Sequence, residues 1–441
     1  MLGFQRRRGT VPRRMLVVLL GLLLFAAAPA RAEHRFIVRS SLGAPSLQQV
    51  CLVQLCRVVR GLDGTLGQLF LISTSDLVDP QLFLATLRAV PGVLDAESDQ
   101  LLSLTEGLAT LESAPAALTQ TSPVSYYGAQ VWYGYAFQPA AGIVRLFDAQ
   151  DAYGKTGRGV VADIDTGVDP NHPVLQPVLL AGYDFTRDQP GASEMNDLPA
   201  GSAFPETPCD SCAPAQVNQH SIAMVDQHSI AMVDGPQFAA FGHGTMVAGV
   251  IHLVAPTAQI LPLKAFHSDG TGYLSDILRA LYYAVQNQAG VINMSFDFSL
   301  PSVELSSAIA YANQNAVICA ASVGNDGQPA NTYPAAISPV MGVASTSDFD
   351  ARSSFSNYGA DVWVAAPGEE IITTYPFGTY AAASGTSFSA PFVSGTAALL
   401  RDVSSSISPS AAAQSIAHAQ PLGPELGNGR LDIFLALSSS M

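Results

Sequence analysis

Val160-Val161-Ala162-Asp163-Ile164-Asp165-Thr166-Gly167 is an apolar run closed by Asp-Thr-Gly. Its β-branched residues favour a strand, and Thr-Gly ends one. Neighbouring segments repeat the theme. Gln259 to Leu263, Val291 to Met294 and Ala316 to Ala321 read as strands, whereas Gly244 to Leu253, Leu274 to Asn287 and Val303 to Asn313 read as helices. Such alternation predicts an α/β domain: three layers, with a mostly parallel sheet and helices on both faces. Chemistry in such sheets gathers at the carboxyl ends of strands, where Asp165, Ser295 and Asn325 fall.

Outward from this core, the alternation begins near residue 146 and runs to residue 441. Residues 33–104 read as a separate small α+β unit. Arg35 to Val38, Gln68 to Ser73 and Val93 to Glu97 are strand-like; Ser46 to Cys56 and Asp79 to Val90 are helix-like, the second opened by Pro80. Two βα units with a return strand suggest a ferredoxin-like sandwich. Residues 105–145 lack periodicity and read as a linker and N-terminal arm. Residues 1–32 read as an export signal, with Arg6–Arg8 and Arg13-Arg14 before the apolar Met15–Ala28 and Ala30-Arg31-Ala32 as a cleavage signal.

Charge narrows the partners. The net charge is −15, and removing the six arginines of residues 1–32 leaves −21 on residues 33–441. A strongly acidic body argues against nucleic acid and anionic membranes. Solubility outside the cell explains the acidity most simply.

Five cysteines are present. Cys51 and Cys56 are expected on one helix, five residues apart and pointing in different directions. Cys209 and Cys212 fit a local disulfide in a Pro-rich loop, and Cys319 a buried free thiol. Residues 186–240 lack regular periodicity and carry Gln219–Asp226 repeated exactly as Gln227–Asp234. A mobile surface insertion is the simpler reading than a metal site from His220 and His228.

Three Gly-flanked motifs carry chemistry: Asp165-Thr166-Gly167, Phe241-Gly242-His243-Gly244-Thr245 and Ser384-Gly385-Thr386-Ser387-Phe388-Ser389-Ala390-Pro391. Each alone is an ordinary turn, helix start or cap. Together they form a nucleophile set: Ser387 to attack a carbonyl, His243 to take its proton, Asp165 to hold the imidazole. Position 389 is Ser, so the G-x-S-x-G form of the α/β-hydrolases is absent.

On these motifs the chain resembles the subtilisin-like serine proteases (subtilases) over about residues 146–437. The resemblance implies an exported endopeptidase with polypeptide substrates, secreted to the outside or the periplasm and acting as a monomer free of the membrane once its signal is cleaved. It implies no cofactor for catalysis. Calcium is compatible with the family, but the loop that binds it after the Gly244 helix is missing, so no metal site is assigned. Asn325 looks like the oxyanion donor, in Val323-Gly324-Asn325-Asp326-Gly327. Gly270, Thr271 and Gly272 on one edge, and Ser295, Phe296, Asp297 and Gly324 on the other, resemble the segments between which an extended substrate lies. Residues 33–104 resemble the propeptide, an inhibitor and folding aid removed by self-cleavage. Three departures stand out: Asp163 replaces an apolar residue on the face of Asp165, Asp297 replaces a Gly, and Met246 replaces a His. A catalytically inactive binding protein and an esterase using the same triad are the competing readings.

Overall fold

A computed structural model describes residues 33–104, 115–199, 236–329 and 331–441, with residue pairs 214–215, 222–223 and 225–226. Cys209, Cys212, His220 and His228 lie outside the described residues.

The central sheet has eight strands in the order Gln189–Pro190, Tyr183–Asp184, Gln259–Lys264, Val160–Asp165, Val291–Met294, Ile318–Ser322, Met341–Thr346 and Val364–Pro367. Every pairing is parallel except the first, antiparallel one. Alternation along each strand sends side chains to opposite faces. Val161 packs with the helices His243–Val254 and Thr386–Val403, whereas Ala162 and Ile164 pack with Leu274–Gln286 and Val303–Gln314. Asp163 and Asp165 therefore share the Val161 face. All twelve residues of the His243–Val254 helix are buried, and all but His243, Thr245 and His252 are apolar.

The hairpin Ile371–Tyr375/Thr379–Ala383 delivers the chain to Ser387. It lies against the histidine helix, with the Thr373 and Thr374 hydroxyls donating to the Met246 and Thr245 carbonyls at 2.6 and 2.7 Å.

Residues 33–104 fold as a βαββαβ unit whose antiparallel strands take the order Cys56–Gly61, Leu69–Ser75, Glu33–Ser40, Val93–Ser98. This is the split βαβ arrangement. Its second strand was hidden in the sequence, because Cys56–Gly61 has no buried residue. Cys51 and Cys56 form a disulfide, contrary to the single-helix expectation. The helix ends at Gln54, Leu55 turns left-handed with φ 55°, and Cys56 opens the strand, so the chain reverses and brings the two sulfurs together. Cys319 is a buried free thiol.

Residues 115–145 are a packed arm: the hairpin Pro123–Tyr126/Ala129–Trp132 and short helices that bury Leu118, Tyr126, Val131 and Tyr135. The insertion also begins as packed structure. Ala192 and Glu194 are buried, which polar, aperiodic sequence did not signal.

Candidate active site

The strand Val160–Asp165 ends with the Asp165 carboxylate facing His243. His243 Nδ1 lies 2.7 and 2.9 Å from the two carboxylate oxygens. The Thr166 N–H donates to Asp165 Oδ1 at 2.6 Å and fixes the carboxylate. An imidazole held at Nδ1 presents Nε2 as its base. His243 is 6% exposed and Ser387 9%, so both are largely sheltered from solvent. The His243 ring centroid is 5.6 Å from that of Phe388, the residue after the serine.

Ser387 occupies the first turn of the Thr386–Val403 helix, where backbone N–H groups have no intrahelical acceptor. Its hydroxyl donates to Ser295 O at 3.1 Å in this state. Its carbonyl has lost a helical partner, because Pro391 four residues on has no N–H. The Ser295 hydroxyl fills that role at 2.8 Å. One expected substrate-edge residue thus braces the serine.

Asn325 follows the strand Ile318–Ser322. Its Oδ1 accepts from the Thr386 N–H at 2.8 Å and the Thr386 hydroxyl at 2.9 Å. A backbone N–H can only donate, so the atom facing it is the oxygen and Nδ2 points away. Nδ2 faces Gly385, where a Cβ would lie 3.6 Å from it. Asn325 is thereby tied through its oxygen to the turn that opens the serine helix.

The two expected substrate edges differ in what they meet. Thr271–Tyr273 is a short strand whose free side is taken by the chain's own Leu101–Ser103, paired antiparallel as Thr271↔Ser103, Gly272↔Leu102 and Tyr273↔Leu101. The ladder extends through Leu104 N to Gly270 O at 2.9 Å. Leu102 is buried in the apolar cluster that holds Phe266, Ile277 and Phe296. On the other edge Gly324 donates to the Thr386 hydroxyl at 3.3 Å. Asp297 is half-buried, and its Oδ2 would lie 2.6 Å from a Cβ on Gly324.

Asp163 lies beneath the site. It is buried, and Asn293, its partner across the sheet, donates to its Oδ1 at 3.1 Å. Its Oδ2 has no partner. Burial, then the neighbouring Asp165 charge, push its carboxyl well above the usual range, so it is held neutral. Asn293 also donates to the Ser295 hydroxyl at 3.0 Å and accepts from Ser394 at 2.8 Å. A polar chain thus runs from Asp163 to the serine helix. The sequence reading found Asp163 but not Asn293 or Ser394, which looked like ordinary strand and helix residues.

Among the described residues no group of three His, Cys, Asp or Glu side chains could hold a metal ion. The histidine helix runs to Val254 and the next strand opens at Gln259, leaving only a short turn between them.

A mostly parallel α/β sheet thus carries the Asp165–His243 pair at a strand end, with Ser387 opening a helix and its hydroxyl held by Ser295 O. The subtilase family model matches residues 157–432, more than half of the chain. The chain is 34% identical over 240 residues to a thermophilic serine proteinase of Bacillus sp. (strain AK1), covering 54% of this chain and 51% of that protein. It is 34% identical over 240 residues to thermitase of Thermoactinomyces vulgaris, covering 54% and 74%. It is 32% identical over 315 residues to an intracellular serine protease of Paenibacillus polymyxa, covering 65% and 83%. The match spans about half the length of the Bacillus proteinase. The chain belongs to the subtilase family, the subtilisin-like serine proteases.

Proposed function

We propose that this chain is an exported serine endopeptidase that uses Asp165, His243 and Ser387 and is made as a self-processing precursor. The observation that carries the reading is the seating of Leu101–Leu104 as a strand on Gly270–Tyr273. An edge that accepts a peptide strand beside an activated serine suits peptide hydrolysis; an esterase has no use for it.

In this mechanism the Ser387 hydroxyl turns from Ser295 O to His243 Nε2 and attacks the scissile carbonyl as the imidazole takes its proton. Asp165 stabilises the imidazolium that forms. Asn325 Nδ2 and the Ser387 N–H receive the oxyanion. The imidazolium protonates the leaving amine, and water then hydrolyses the acyl-enzyme by the same steps in reverse order of partners.

Residues 33–104 act as the inhibitor of the site. Two of their carboxylates accept from the N-termini of surface helices: Asp99 from Ser275 N–H at 2.8 Å and Glu97 from Val303 N–H at 3.2 Å. Negative charge is favoured at such ends. Export rests on the basic and apolar character of residues 1–32. Among the described residues no helix is long and apolar enough to cross a membrane.

A serine-directed phosphonylating reagent is expected to modify Ser387, and the protein to cleave denatured casein. An intact fold with Ser387 unmodified would leave the inactive binding protein. Ester turnover without casein cleavage would leave the esterase. Ser387→Ala is expected to abolish turnover and to accumulate full-length precursor on gels; processing of that variant made alone refutes self-maturation.

A further inference from the structure

Residues 189–197 form only a two-residue strand and one turn of 3-10 helix, Glu194–Asp197. They nevertheless underlie the catalytic turn. Val168 N–H donates to Ala192 O at 2.9 Å. Gly167 has φ +96°, and a Cβ there would lie 2.5 Å from Ala192 O and 3.0 Å from Glu194 N. Lys264, fully buried, donates to Thr166 O at 2.7 Å and to Asp197 at 2.8 Å.

Glu194 is 0% exposed. Its Oε2 accepts from Gly242 N–H at 2.7 Å and from the Thr166 hydroxyl at 3.3 Å, and its Oε1 accepts from the Thr245 hydroxyl. The Thr166 hydroxyl in turn accepts from Gly244 N–H at 3.0 Å. Thr166 follows Asp165 in the chain, and Gly242 and Gly244 flank His243. A single carboxyl group therefore ties both sides of the Asp165–His243 hydrogen bond. The two backbones meet closely: a Cβ on Gly244 would lie 2.1 Å from Gly167 O.

We propose that Glu194 is a positioning residue for the peptidase reaction, holding the Asp165 turn and the start of the His243 helix in the register that makes their hydrogen bond. The inference rests on the triad reading above. Two acceptor oxygens are needed, because Gly242 N–H and two hydroxyls converge on one side chain. Glutamine supplies one acceptor and opposes the other donors with its own N–H₂. The charged and titratable groups around Glu194 are Lys264 and Asp169, with Asp163 and Asp165 on the neighbouring strand end. Burial pushes its carboxyl up to about 8, while the hydrogen bonds from Thr245 and Gly242 N–H oppose the shift and favour the ionised form that accepts at both oxygens.

The test compares wild type, Glu194→Gln, Asp165→Asn and the double variant on a peptide substrate, with thermal unfolding as a check on the fold. Glu194→Gln is expected to lower kcat about tenfold with KM within about twofold, since small misplacements of reacting groups cost rate and not binding. The acid limb of its kcat/KM profile moves to lower pH, because an imidazolium less well held by Asp165 is more acidic. In the Asp165→Asn background the same change adds less than about twofold, because the pair it serves is already broken. If Glu194→Gln does not fold, Thr166→Val cuts the same tie from its other end and carries the same expectations. Unchanged kcat and acid limb, or an undiminished effect in the Asp165→Asn background, overturns the proposal. A folded wild-type chain without turnover overturns the peptidase reading itself and the inference with it.

Discussion

The two folded regions of this chain are stabilised differently. The peptidase sheet is enclosed by two apolar clusters, and its two central helices are buried almost throughout. The unit of residues 33–104 has one small apolar cluster around Phe36, Leu47, Ile72 and Leu87, closed at one corner by the Cys51–Cys56 disulfide. Apolar contact and charge both join the two: Ile37, Leu62, Leu69, Leu71 and Leu102 are buried in the apolar cluster of one face of the peptidase sheet. Arg35 and Asp99 pair at 2.8 Å, and the Arg35 guanidinium lies 3.7 Å from the centre of the Tyr273 ring. Arg39 pairs with Glu304 of the helix that Glu97 caps. The small unit thus keeps a core of its own and meets the larger region through a mixed seam, apolar at Ile37, Leu71 and Leu102 and charged at Arg35 and Arg39.

This contrast can be broken from either side. The largest effect is expected within the peptidase region: Asn325→Ala removes the proposed oxyanion donor and is expected to lower kcat by about 10²–10³, with KM nearly unchanged, in steady-state assays. Next comes the seam. Asp99→Ala removes the acceptor for Ser275 N–H, Ser275 Oγ and Arg35. Charge-assisted bonds of this kind are worth about 1.5–3 kcal/mol, so opening of residues 33–104 rises about 10- to 100-fold. Hydrogen exchange on the unprocessed Ser387→Ala chain reads this, with protection of the His243–Val254 helix unchanged.

A smaller effect is expected from pH. Burial raises the Glu97 carboxyl from 4.5 to about 7 in the docked state. The docked state therefore binds more protons than the free one, and docking weakens as pH rises from about 4.5 to 7. Hydrogen exchange of residues 33–104 across that range checks the sign, and Glu97→Gln should flatten the response. The smallest effect is expected at Asp163. Its carboxyl is held neutral, so Asp163→Asn preserves the charge, and activity at neutral pH stays within about threefold in the same assay. A large loss would mean that Asp163 is ionised beside Asp165.

The places of Asp165, His243 and Ser387 were legible because each sits where a regular element starts or stops. Asp165 ends an apolar strand, His243 and Ser387 open helices, and the glycines beside them mark the turns. The brace between Ser295 and the Ser387 carbonyl was not legible. It follows from Pro391 only once the helix is seen to begin at Thr386. The arm at 115–145 gave no pattern because its short elements bury isolated residues such as Tyr135, whose hydroxyl meets Gly249 and His252.

The sequence by itself determined the layered α/β class, the separate small unit before it and the turns that hold Asp165, His243 and Ser387, since local periodicity and turn chemistry act over a few residues. Tertiary structure alone decided the bond between Asp165 and His243, 78 residues apart, and the Cys51–Cys56 pairing at an unforeseen chain reversal. It alone brought Glu194 under both motifs, 48 residues from Gly242. A buried carboxyl group is paid for by partners that converge from distant segments, and such convergence leaves no mark on the residues nearby in sequence.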